Sequence, residues 1–139
     1  MANAKMIFID GTDRVGKGSL MQAIHKATNY KHLIFDRSVL SNKVYSEAHN
    51  RLTAELIDDY NNIEQQLADT DHIVLYLYCD IDVLEKRKLE TQHEDVDFKY
   101  HQELFSKYMK HSPLNIYPID TTVMTPSKIA EMLIDSNII

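Results

Sequence analysis

Met6–Leu20, MIFIDGTDRVGKGSL, is the stretch of this 139-residue chain on which the fold turns. Met6 to Ile9 is an apolar run with the length and β-branching of a buried strand. Gly11 opens a loop that closes on Gly16, Lys17, Gly18 and Ser19. Leu20, Met21, Ile24 and Ala27 then recur at helical spacing. A strand, a glycine-punctuated loop, a lysine and a helix form the setting of a phosphate-binding P-loop. A bare glycine turn between strand and helix is the plainer alternative. It leaves the lysine and the serine at the helix start without a purpose.

The residue types suit an anion. Gly11 and Gly16 free the backbone for conformations that aim several N–H groups inward. The helix start adds its dipole and its open N–H groups. Lys17 is a mobile charge for the terminal phosphates. Ser19 offers a hydroxyl to a phosphate or to Mg2+. The loop from Gly11 through Thr12, Asp13, Arg14, Val15, Gly16, Lys17, Gly18 and Ser19 to Leu20 is the expected nucleotide-phosphate cradle.

All three glycines of the chain fall in that loop, so irregular backbone is concentrated there. A hydrophobic content of 44% supports a core, and the length suits one domain. A net charge of −6 argues against duplex nucleic acid as a partner. The single cysteine, Cys79, rules out an internal disulfide and fits a reducing compartment. No apolar run has the length of a membrane span, and no signal-peptide pattern precedes the first strand. The expectation is a cytoplasmic protein without a membrane partner.

Further strands are expected over 32–36, 73–79 and 114–119, and the last helix starts at Thr125-Pro126. Ser41–Ala68 reads as one long helix with a break near Leu52-Thr53, packed through Tyr45, Ala48, Leu52, Leu56, Tyr60, Ile63 and Leu67. Its Asn, Glu, Asp and Gln positions, and Arg51, read as solvent-facing. The tyrosine- and leucine-rich face suits either the core or a homodimer contact. Asp82 reads as a helix cap with Glu85 behind it, and Asp97 as the cap of a helix to about Lys110. His93, Glu94 and Asp95 are consecutive and face different ways, so they read as a polar loop rather than a metal site.

Two blocks resemble one family. Gly16-Lys17-Gly18-Ser19 is similar to the loop of adenylate-kinase-like nucleoside monophosphate kinases, with the hydroxyl residue one step after the usual place. Asp13-Arg14 inside the loop resembles thymidylate kinases that carry an arginine there. Asp36-Arg37-Ser38, followed by Ser41 and Tyr45, resembles the Asp-Arg block of thymidylate kinases and the Glu-Arg-Ser block of deoxynucleoside kinases. The resemblance implies a three-layer α/β P-loop fold with about four parallel strands. It places the Asp-Arg strand beside the P-loop strand, then the Cys79 strand, then the last.

The resemblance also implies ATP- and Mg2+-dependent phosphoryl transfer to a small nucleotide, dTMP first. Lys17, Arg14 and Arg37 would offset developing charge, and Asp36 with Ser19 would hold Mg2+. Asp13, Arg37, Ser41 and Tyr45 would meet the acceptor. Arg87, in a lid spanning about 86–98, would meet the nucleotide donor, and Thr121 would lie in the loop over its base. The match covers the chain discontinuously, because the family's insert between the first helix and the Asp-Arg strand is missing. Residues 38–60 or a second subunit would then rebuild the acceptor pocket, or the acceptor would differ, or the chain would bind nucleotide without transferring phosphate. A deoxynucleoside kinase acting on a 5′-hydroxyl is the other enzyme reading.

Overall fold

The computed structural model describes residues 4–12, 15–91 and 97–139, with the side chains of 89–91 left out. Strands β1 (Met6–Asp10), β2 (Leu33–Asp36), β3 (His72–Tyr78) and β4 (Ile116–Asp120) form one parallel sheet in the order β2-β1-β3-β4. This is the expected order. The apolar runs of β1 and β3 take the two central places, where both faces are covered. The shortest strand, β2, and the partly exposed β4 take the edges.

Helices α1 (Lys17–Ala27) and α6 (Pro126–Asp135) cover one face. Their Leu20, Ile24, Ile129 and Leu133 pack with Ile7, Ile9, Leu75 and Leu77 of the central strands. Helices α2 (Val39–Ala48) and α5 (Phe98–Met109) cover the other, where Leu40, Val44, Leu104 and Phe105 pack with Val74 and Tyr76. The result is the three-layer α/β architecture expected from alternating strands and helices. Helices α3 (Ala54–Ala68) and α4 (Ile81–Thr91) complete the chain. Among the described residues, no helix is long and apolar enough to cross a membrane. Cys79 is free and buried.

The long helix expected over Ser41–Ala68 is two helices, parted at the expected break. Ser38 caps α2 by accepting from the Leu40 N–H at 3.1 Å, so this helix starts two residues early. Asn50 adopts a left-handed φ of 56°, and the Arg51 N–H donates to Ser46 O at 2.7 Å, which ends α2. Thr53 then caps α3 through the Leu56 N–H at 3.1 Å.

Two readings of α3 and α4 are corrected. Glu64 is buried while Ile63 is exposed, because Lys43 of α2 reaches Glu64 at 2.7 Å and draws that edge of α3 inward. Asp82 lies within the first turn of α4 instead of capping it, and the Leu84 N–H donates to Asp80 O one turn earlier. The caps at Asp97 and Thr125 stand where expected, accepting from the Tyr100 and Lys128 N–H groups.

Candidate functional site

The end of β1 turns sharply at Gly11, whose φ is 144°. A Cβ there would lie 2.5 Å from Leu77 O and 2.8 Å from Val15 Cγ1, so only glycine fits. Gly16, at φ 102°, is the residue before α1, and there the backbone conformation rather than space demands glycine. No side chain caps α1, so its first N–H groups remain directed at the loop. Lys17 reaches back to Gly11 O at 3.2 Å and Thr12 O at 3.0 Å. Thr12, Val15 and Leu20 are buried, whereas Gly16, Gly18 and Ser19 are exposed on the open side. The expected loop residues Asp13 and Arg14 lie outside the described residues, as do 92–96 of the expected lid.

Beside the loop is a cavity of about 390 Å³, within the range of small-ligand sites. Val15, Ser19, Arg87, Thr121, Met124 and Ile129 are among its lining residues. Both residues expected near the donor, Arg87 and Thr121, are therefore brought to the P-loop. Of the basic run on α4, Lys86 is exposed and Lys88 lies 3.6 Å from Glu85. The Thr121 hydroxyl donates to Val15 O at 2.9 Å and lies 3.2 Å from Tyr78 O, which ties the β4–α6 loop to the P-loop.

Asp10 is the group the sequence reading missed. It ends β1, is fully buried and points to the α2 face. Its Oδ1 accepts from the Ser38 N–H at 2.8 Å and from the Ser41 hydroxyl at 2.5 Å, and its Oδ2 accepts from the Ser38 hydroxyl. Ser38 Oγ already accepts from Leu40, so its proton goes to the carboxylate. Burial pushes the Asp10 carboxyl above the ordinary range, against the pull of the two serines and Lys17. The visible signal was an acid closing an apolar strand immediately before the glycine loop. Its partners lie about thirty residues away, and that distance hid its use.

This clamp seats the Asp-Arg block. Arg37, at a left-handed φ of 77°, donates its N–H to Ile9 O at 2.9 Å. Its guanidinium lies 4.5 Å from the Tyr45 ring centroid. Arg37, Ser41 and Tyr45, three of the four expected acceptor residues, line one pocket of about 140 Å³ with His49, Arg51 and Tyr60. Arg51, read as solvent-facing, is exposed but lines this pocket, because the break after α2 turns the chain back across its end.

Asp36 stands opposite Ile9 in the register, on the α1 face of the sheet, and is exposed. Ser19 is exposed in the first turn of α1 on that same face. Among the described residues no group of three or more His, Cys, Asp or Glu could hold a metal ion. Asp36 and Ser19 are a carboxylate and a hydroxyl, donor types that Mg2+ takes in small number when phosphates supply the rest.

The chain is similar over 96% of its length to the YorR protein of Bacillus subtilis, of which it covers 95%, with a TM-score of 0.76 and 21% identity. That structure is described as a complex with phosphorylated GDP. At this identity the likeness extends to the fold. No family model and no curated protein matches the chain.

Proposed function

We propose that this chain is a nucleotide kinase similar to thymidylate kinases, transferring the γ-phosphoryl group of ATP to a deoxynucleoside monophosphate, with dTMP the first acceptor to test. The observation that carries the reading is the junction at Asp10. One buried carboxylate at the foot of the P-loop fixes Ser38 and Ser41, and so sets the Arg37 pocket against the phosphate cradle. The solved YorR complex, with its phosphorylated guanine nucleotide, supports a nucleotide as ligand of this fold.

In the proposed reaction an acceptor phosphate oxygen forms a bond to the γ-phosphorus. The bond from that phosphorus to the β–γ bridging oxygen breaks, and its electron pair leaves with ADP. Lys17 and Arg37 offset the negative charge on the migrating group. By the family resemblance Arg14 shares that task and Asp13 orients the acceptor. Ser19 and Asp36 would hold Mg2+, which supplies further charge compensation when bound. A monophosphate oxygen is already anionic near neutral pH, so no strong base is required. A nucleoside hydroxyl would need one; the oxygens of Asp10 are occupied by three donors, which leaves the exposed Asp36 as the candidate base for that second reading.

A transfer screen with ATP and Mg2+ tests the proposal, using deoxynucleoside monophosphates, ribonucleoside monophosphates and nucleosides as acceptors. Transfer to a deoxynucleoside monophosphate, lost by at least about a hundredfold in Lys17→Ala, is expected. ATP binding with no transfer to any acceptor would favour a nucleotide-binding regulatory protein.

A further inference from the structure

We infer that Thr122 and Gln102 are positioning residues: they hold the turn from β3 into α4, and through it they set Arg87 in the cavity beside the P-loop. The inference rests on the nucleotide-binding part of the kinase reading and deepens it. Its first support is the capping of that turn. Cys79 and Asp80 lie between the end of β3 and the start of α4. A different element takes the N–H of each. The Cys79 N–H donates to Gln102 Oε1 of α5 at 3.1 Å, and the Asp80 N–H donates to the Thr122 hydroxyl of the β4–α6 loop at 3.0 Å.

Thr122 uses its hydroxyl twice. The oxygen accepts from Asp80, and the proton goes to Cys79 Sγ at 3.7 Å. Its own N–H donates to Asp120 Oδ1 at 2.9 Å, which fixes the loop it reaches from. The residue before it, Thr121, donates its N–H to Tyr78 O at 2.8 Å and its hydroxyl to Val15 O at 2.9 Å. Two adjacent threonines therefore serve two neighbours. Thr121 grips the P-loop and Thr122 grips the start of α4, so one short loop sets α4 against the phosphate cradle.

The second support is where α4 is anchored. Asp80 O accepts the Leu84 N–H at 3.1 Å, so the residue held by Thr122 is also the first link of the helix. Leu84 is the one buried side chain among the described side chains of α4. Beyond it Glu85 and Lys86 are exposed, whereas Arg87 lines the cavity.

The third support is leverage. Arg87 stands seven residues beyond Asp80, which is about 10 Å along an α-helix. A tilt of about 10° at the turn would carry that point by roughly 2 Å. Displacement of a positioned group by about 1 Å can already cost up to about a hundredfold. The two caps therefore control a group they do not touch.

The test measures the ATP dissociation constant of the full chain by calorimetric titration, in wild type, Thr122→Val, Thr122→Ser, Gln102→Leu, Arg87→Ala and the double variant Thr122→Val/Arg87→Ala. Thr122→Val keeps the shape and removes the hydroxyl. It is expected to raise Kd about five- to thirtyfold, and Gln102→Leu likewise. Thr122→Ser keeps the hydroxyl and should bind within about threefold of wild type. In the Arg87→Ala background, adding Thr122→Val should change Kd by less than about twofold, because the group it positions is already gone. A full further loss in that background overturns the inference. So does wild-type affinity in Thr122→Val, Gln102→Leu or Arg87→Ala. If Thr122→Val fails to fold, Gln102→Leu with Arg87→Ala completes the same cycle. The readout needs no phosphoryl transfer. Wild type that binds ATP without transferring it sinks the kinase reading alone and leaves the cycle to decide this inference, whereas wild type that binds no ATP overturns it.

Discussion

The Ser41 hydroxyl, on the first turn of α2, donates to the Asp10 carboxylate at the end of β1 across 2.5 Å of buried space. With the two Ser38 bonds it locks the helix that carries the proposed acceptor residues onto the strand that leads into the P-loop. Asp10→Asn exchanges an acceptor oxygen for a donor nitrogen, so one serine proton loses its acceptor inside the core. The expected loss is about 1–3 kcal/mol in urea unfolding. Because Arg37 directly precedes Ser38, KM for the acceptor should rise while KM for ATP holds. Equal changes in both would show that the clamp does not act on the acceptor side.

The three glycines should respond differently to alanine. At Gly11 the new Cβ meets the Leu77 carbonyl oxygen at 2.5 Å, a backbone atom that cannot swing aside, so Gly11→Ala should abolish nucleotide binding. At Gly16 there is open space, and the penalty is the left-handed backbone alone, about 1–2 kcal/mol. At Gly18, in the first turn of α1 with nothing within 4 Å, alanine should raise stability by up to about 1 kcal/mol. Thermal unfolding of the three variants with ATP titrations would give this order or break it.

Thr121 and Val15 are joined by a bond of 2.9 Å between positions 106 residues apart. Thr121→Val keeps the shape and removes the donor, leaving the Val15 carbonyl unpaired beside the phosphate cradle. The expected outcome is a loss of about 1–3 kcal/mol and weaker ATP binding. Calorimetric titration with ATP checks it, and unchanged affinity would confine Thr121 to lining the cavity.

The sheet order was legible through the family resemblance, and the strands' composition agrees with it. The apolar runs at Met6–Ile9 and Ile73–Leu77 suit the two central places, where both faces are covered. The P-loop was legible for a local reason, since glycine, lysine and helix start adjoin in sequence. Asp10, Glu64 and Arg51 were not legible. Each takes its role from a partner on another element, so spacing along one helix or strand carries no trace of it. A polar residue on an amphipathic helix reads as solvated until its counterion is seen, as Lys43 is for Glu64.

That pair gives a prediction of its own. Lys43 Nζ donates to Glu64 Oε1 at 2.7 Å and to Asn61 Oδ1 at 2.7 Å, with both charged side chains buried. Lys43→Met leaves the Glu64 carboxylate buried with the distant Ser112 hydroxyl at 3.3 Å. The expected cost is about 3–5 kcal/mol, measured by urea unfolding. The double variant Lys43→Met/Glu64→Leu should recover most of it, because an apolar pair of similar volume needs no counterion. If the double variant were as unstable as the single one, packing rather than the stranded charge would be responsible.

His32, at the foot of β2, should make stability depend on pH. The Lys5 N–H donates to its Nδ1 at 3.0 Å, which requires a lone pair there and so a ring without a proton on that atom. Burial lowers its pKa below the ordinary histidine value, helped by repulsion from Lys31 and Lys5 and opposed by Asp71. In the unfolded chain the ring takes a proton near pH 6.5, whereas in the folded chain it does so only at a lower pH. Between those two values the unfolded state binds more protons, so stability falls as pH falls. The contribution is complete above about pH 6.5 and is lost progressively below it. The chain holds six other histidines, so the quantity to measure is the difference between wild type and His32→Gln in unfolding free energy from pH 8 to 5. That difference should shrink as the pH drops below about 6.5. A difference that stays constant across the range would mean that His32 takes up its proton equally in the folded and unfolded chain.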